Sequence, residues 1–200
     1  MASILKYNKA QHTNGTDAMT ISSAGIITPS KPVIATMNMS TATHNHTEQS
    51  WHLNSWDNSD IDTYGSVANL ANDRFDIPVA GYYEVYYQAC LGVTGEGGSM
   101  RDSGIIISQT PSGGSETVVS STHHRHYDGA GQDTSDAMEI THCIIQCAAA
   151  DQIKFRHYVN TDTGTAYDVY AKVSEDENTH MYYASAAPAM ATHCWLRRVA

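Results

Sequence analysis

The stretch from Arg74 to Gly92, RFDIPVAGYYEVYYQACLG, decides how this chain is read. Pro78 has no N–H to give to a β ladder, so it marks the start or edge of a strand. Gly81 then relieves the backbone where the chain turns inward. Beyond it, Tyr83, Val85, Tyr87, Ala89 and Leu91 share one face of an extended strand. Tyr82, Glu84, Tyr86, Gln88 and Cys90 share the other. One face is expected to meet a core. The second is too aromatic for an ordinary solvent face; Tyr, a large ring with a polar tip, suits a subunit contact or the floor beneath a long loop. Alternation alone does not decide which face is which.

The rest of the chain agrees with a β reading. Its 200 residues are 41% hydrophobic and only 16% charged, enough for one domain with a real core. Thr, Ser, Asn, Gly and Tyr are plentiful, and long Leu/Glu/Lys runs are absent, as in all-β proteins. VIATMNM, GIIISQT, ETVVSSTHHRHY, AMEITHCIIQC, QIKFRHYV, AYDVYAKV and THCWLRRV follow one another as strand-like segments separated by Gly- and Asp-rich turns. Many short strands of this kind predict a sandwich, jelly roll or closed barrel, with no helix required. Before them, Met19 to Ile21 and Ile26 to Ile27 flank Ser22-Ser23-Ala24-Gly25 and predict a small hairpin that stops at Pro29 and Pro32. So small a hairpin does not support itself. Residues 1–29 are therefore expected to be an attachment segment, with Met19, Ile21, Ile26 and Ile27 as its apolar contacts, and residues 30–200 the main domain.

Charge narrows the partners. Eleven basic against 21 acidic side chains give a formal net charge of −10, which disfavours nucleic acid and anionic membrane. The 11 His residues would carry that charge to +1 if all were protonated, so surface electrostatics should change strongly below about pH 6.5. No apolar run approaches the roughly 20 residues of a membrane span. MASILKYNKAQH has no apolar core or small-residue cleavage site of a secretion signal, and the chain is expected to act without secretion or membrane insertion. Cys90, Cys143, Cys147 and Cys194 lack metal-ligand spacing. Buried free thiols are the expectation.

Phe75, Pro78, Gly81, Tyr82 and Tyr83, leading into a long strand, resemble the central signature of the tumour-necrosis-factor and complement globular-head superfamily. CIIQCAAADQIKFRHYV is similar to that family's late pair of strands joined by a tight turn, with Ala150-Asp151 where the family often has Gly-Asp. THCWLRRVA resembles its short terminal strand. The resemblance spans roughly residues 31–200. It implies a jelly-roll β-sandwich of about ten strands that assembles as a homotrimer, without enzymatic activity. Tyr82, Tyr83, Tyr86, Tyr87 and Trp195 are then the residues that form either core or trimer interface. A second resemblance lies in the N-terminal phrase Met-Thr-Ile, Ser-Ser, Gly, Thr-Pro, which is similar to tail-fibre and other surface proteins of bacteriophages. It implies a virion protein (decoration, spike or fibre module) held to other virion proteins by its N-terminal segment. Its long polar loops, 40–62, 92–103, 123–137 and 160–180, would then meet a host glycan or protein, or neighbouring capsid subunits.

Possible chemistry is confined to His clusters and Asp loops. His44 and His46, two apart in HNHTEQSWH, would project from one strand face about 7 Å apart and invite a cupin-like metal site. Glu48 comes too early for that pattern, and PVAGYYEVYYQ contains no His. His124 and His126 in HHRHYDGAGQD would share a face and, near a three-fold axis, gather a metal or an anion. Asp128, Asp133, Asp136, Asp162 and Asp168 lack the spacing of a calcium loop, and turn-forming Asp accounts for them. No nucleophile elbow or phosphate loop is present. The expectation is a non-enzyme with no obligatory cofactor, a divalent metal at one of the His clusters being the alternative.

Overall fold

The structure, a computed structural model, describes residues 9–11, 17–21, 27–29, 32–41, 43–93, 100–126, 136–161, 164, 166–170, 174–175, 181–182 and 192–199. The chain forms two compact units, Met1–Val33 and Ile34–Ala200.

The first unit is a small antiparallel sheet of β1 (Lys9–Gln11), β2 (Asp17–Ile21) and β3 (Ile27–Pro29), in that order. β2 pairs with β3 through Met19↔Pro29, Thr20↔Thr28 and Ile21↔Ile27. The two apolar stretches thus lie opposite each other across the Ser-Ser-Ala-Gly segment, and Pro29 ends the ladder because it has no N–H to continue it. Ile26 lies outside the described residues.

In the second unit the strands are β4 (Ile34–Asn38), β5 (Thr43–His46), β6 (His52–Leu53), β7 (Ala68–Asn69), β8 (Arg74–Asp76) and β9 (Gly81–Val93). They are followed by β10 (Met100–Thr110), β11 (Thr117–Arg125), β12 (Asp136–Cys147), β13 (Gln152–Thr161), β14 (Tyr167–Val169) and β17 (His193–Arg198). Between the last two, β15 (Ser174–Glu175) and β16 (Met181–Tyr182) make a separate two-stranded ladder. A single 3-10 turn, Leu70–Asn72, is the one helical element among the described residues. One sheet has the order β11-β10-β13-β8-β7, with β6 also on β13. The other has the order β4-β17-β9-β14-β5, with β12 also on β9. Every pairing is antiparallel, and strands adjacent in sequence repeatedly belong to opposite sheets, the wiring of a jelly roll.

The opening stretch makes one of these crossings. β8 belongs to one sheet and β9 to the other, so Ile77–Ala80 carries the chain over the edge of the sandwich. The Tyr83 hydroxyl donates to the Val79 carbonyl at 2.6 Å, tying the strand back to the turn. A second crossing, Ala148–Asp151 between β12 and β13, lies beside it: Ile77 N–H donates to the Asp151 carbonyl at 2.9 Å and Ala150 N–H to the Ile77 carbonyl at 2.8 Å. The late strand pair is therefore joined by a turn without forming a hairpin. Asp151, itself buried, holds that turn by accepting from Ala148 N–H, Ser112 N–H and the Gln109 amide.

Register assigns the two faces of β9. Tyr83, Val85, Tyr87, Ala89 and Leu91 are wholly buried. Tyr87 packs against Phe155 and Trp56 with ring centroids 5.2 and 5.9 Å apart, and Phe155 meets Phe75 edge-on at 5.5 Å. Aromatic rings from both sheets thus interlock at the centre of the core, in the edge-to-face arrangement that ring quadrupoles favour. Burial pushes the Tyr83 hydroxyl up to about 12 and the Tyr87 hydroxyl well above its usual range. All four Cys are free; Cys90, Cys147 and Cys194 are buried.

Candidate interface on the outer sheet face

β12 is turned the opposite way from what its sequence suggests. Its inward residues include Glu139 and Thr141, both buried, while its outward residues Met138, Ile140 and Ile144 are 44, 47 and 61% exposed. Burying an aliphatic side chain contributes about 2 kcal/mol, so a strand that points Ile140 and Ile144 outward and a carboxylate inward, with only Ile145 of its three Ile buried, runs against the hydrophobic effect within the single chain. The inward polar groups are satisfied across the sandwich. Ser120 and Thr141 hydroxyls are 2.7 Å apart, and the Thr122 hydroxyl donates to the Ile140 carbonyl at 2.6 Å. The Glu139 carboxylate accepts from the Ser103 hydroxyl and, at 2.6 Å, from His124 Nδ1. His126 Nε2 is 2.8 Å from the same Ser103 hydroxyl.

The outward residues of β12 adjoin those of β9, which adjoin those of β17. Across these strands, His142 faces Tyr86 and Tyr86 faces Trp195; Ile144 faces Glu84 and Glu84 faces Arg197; Ile140 faces Gln88 and Gln88 faces His193. The Tyr86 and Trp195 rings stack at 5.6 Å and 7°. The His193 ring, from the same strand as Trp195, lies 5.4 Å from Tyr86. Glu84 sits between Arg197 and His142, accepting from Arg197 Nε and, at 3.0 Å, from His142 Nε2. The Arg197 guanidinium, first, and then His142 hold the Glu84 carboxyl below its usual value. Arg197 also lies over the Trp195 ring at 5.9 Å. Tyr82, 48% exposed, extends the face at the β9 start. The result is an aromatic half on the β17 side and an aliphatic half on the β12 side, with one neutralised ion pair between them.

Of the aromatic residues singled out by sequence, Tyr83 and Tyr87 belong to the core, whereas Tyr82, Tyr86 and Trp195 lie on this outer face. Met138, Ile140, Ile144 and His142 were missed. Their signal was present in AMEITHCIIQC as alternation, but alternation does not say which side faces in.

The His residues are drawn into two other places. His124 and His126 reach Glu139 and Ser103, which are themselves hydrogen-bonded to each other. The His44 side chain lies outside the described residues; His46 meets His52 and His157, with ring centroids 5.0 and 4.8 Å away. Glu48, weighed as a metal ligand, accepts instead from the Thr161 N–H and hydroxyl at 2.9 and 2.6 Å. Asp128, Asp133 and Asp162 lie outside the described residues. The polar segment 40–62 is ordered by its own carboxylates: Asp57 holds Ser40 and Thr41, and Asp62 accepts from the N–H groups of Tyr64, Gly65, Val67 and Ala68. Parts of the other three polar loops lie outside the described residues. Among the described residues no helix is long and apolar enough to cross a membrane.

No protein-family model and no curated protein matches the sequence. Solved structures do match in fold. Eiger TNF from S. frugiperda superposes with a TM-score of 0.54 at 12% identity, over 85% of this chain and 94% of that one. Murine APRIL, crystallised at pH 5.0, gives a TM-score of 0.53 at 10% identity, over 84% of this chain and 100% of that one. The chain therefore has a TNF-like jelly-roll fold.

Proposed function

We propose that this chain is a non-enzymatic, homotrimeric surface protein of a bacteriophage particle, assembled through the outer face of the β4-β17-β9-β12 layer. The observation that carries the assembly is the inverted strand β12, whose Met138, Ile140 and Ile144 point away from the core. An apolar patch of this kind is retained in a soluble protein when another surface covers it. Its two unlike halves favour a heterologous contact, the Trp195 side of one copy against the Ile144 side of the next. Such contacts close into a ring when the rotation between copies allows it. The TNF-like fold supports three copies. In this reading the outer-face residues work by packing, and the assembly needs no catalysis and no cofactor.

The virion setting is supported by the N-terminal phrase and by the division of the chain at Val33, which leaves a small β unit for attachment to other particle proteins. The polar loops of the larger unit would then meet a host glycan or protein, or adjoining capsid subunits. Light scattering on the purified chain should give the mass of three copies, and a single-chain mass at micromolar concentration would remove the assembly. Antibody labelling of intact particles should place the protein outside; particles that stay unlabelled while the antibody binds the free chain would remove the virion role.

A further inference from the structure

Three imidazoles far apart in the sequence meet where the two sheets face each other. His46 lies at the end of β5 and pairs in register with Tyr167 of β14, both in one sheet. His52 of β6 pairs with His157 of β13 in the other. Ring centroids are 5.0 Å apart for His46 and His52, 4.8 Å for His46 and His157, and 5.9 Å for His52 and His157. For three imidazoles on one tetrahedral ion with N-to-metal bonds of about 2 Å, the ring centroids fall about 5 Å apart. The two His46 spacings, 5.0 and 4.8 Å, match that value, and the His52–His157 spacing, 5.9 Å, is longer.

The nitrogens of His52 and His157 have the right division of labour. His52 Nε2 donates to the Thr47 carbonyl at 2.8 Å, leaving Nδ1 with its lone pair. His157 Nδ1 is 2.9 Å from the Tyr167 hydroxyl, and its Nε2 is buried without a hydrogen-bond partner. A buried polar atom left unpaired calls for an explanation. One ring nitrogen tied to an oxygen, with the other left open, is how histidine ligands are oriented.

We propose that His46, His52 and His157 form a three-histidine site for a borderline transition cation, Zn2+ above all, that staples the two sheets together. Imidazole nitrogen suits Zn2+ and its neighbours and does not suit Ca2+ or Mg2+. Among the described residues no three side chains are already set around a common point; rotation of the His46 ring about its side-chain torsions, with His52 held by Thr47, completes the set as the ion enters. The site shares no residue with the Ser103, His124, His126 and Glu139 network.

The test uses the whole chain, stripped with chelator and titrated calorimetrically with ZnCl2, and with CaCl2 as the control. One Zn2+ per chain, a raised melting temperature and no response to Ca2+ are expected. His52→Ala, at a partly exposed position that leaves the core intact, should weaken Zn2+ binding at least about tenfold, as should His46→Ala, while His124→Ala binds as the parent does. Absence of Zn2+ binding in the parent would overturn the proposal. So would binding that survives both His52→Ala and His46→Ala, binding abolished by His124→Ala, or an equal response to Ca2+.

Discussion

Replacing Ile144 by Glu separates assembly from folding. Ile144 is 61% exposed in the single chain, which leaves about 100 Å² of apolar surface on one side chain, worth about 2.5 kcal/mol when buried. A ring of three copies would bury that surface three times, about 7 kcal/mol, and each 1.4 kcal/mol is a factor of ten. The trimer dissociation constant should therefore rise by about five powers of ten before any cost of the three added carboxylates is counted. The fold should be almost indifferent, because surface substitutions usually change stability by less than about 0.5 kcal/mol. Light scattering across a dilution series, with urea unfolding of the dissociated chain, measures both. A variant that remains trimeric at the parent's concentrations would refute the placement of Ile144 in the contact, and one that fails to fold would refute its outward orientation.

Four further outcomes follow from the geometry. Ala150 holds φ at 69°, a left-handed conformation costing a residue with a Cβ about 1 kcal/mol, so Ala150→Gly should raise the urea midpoint; an unchanged or lower midpoint would contradict a strained turn. His124→Ala removes one of the two groups holding the buried Glu139, and should cost about 1–3 kcal/mol in denaturant unfolding. The Glu116 carboxyl is lowered to about 2, first by its hydrogen bond from Arg156. A lowered carboxyl stabilises the fold above its unfolded value of about 4.3, and the contribution is lost as pH falls towards 2; Glu116→Gln should flatten the thermal-melting profile in that window. Burial raises the Cys147 thiol to about 12 and the Cys143 thiol to about 11, so both should react slowly with a disulfide reagent at pH 8 until denaturant is added, and prompt native labelling of two thiols per chain would contradict their environment.

The sequence is most legible where partners are local. The Ser-Ser-Ala-Gly hairpin, the Pro78 crossing and the alternation of β9 follow from residues within a few positions of one another. The orientation of β9 does not, because Tyr83 and Tyr87 on one side and Tyr82 and Tyr86 on the other are chemically the same. Phe155 and Trp56, distant in the chain, decide between them. β12 misleads for a related reason. Its Met138, Ile140 and Ile144 look like a core set, and only Ser103, Ser120 and His124 on other strands make it possible for Glu139 and Thr141 to point inward. The His residues show the same limit: His46 sits beside His44 in the sequence, yet its neighbours in space are His52 of β6 and His157 of β13.

The contact between unlike halves of the outer face is tested most directly by a photo-crosslinking residue in place of Trp195, activated in the assembled protein, with the crosslinked peptides read by mass spectrometry. The account predicts crosslinks to residues 138–144 of another copy. Crosslinks confined to one chain, or to a surface away from β12, would contradict it.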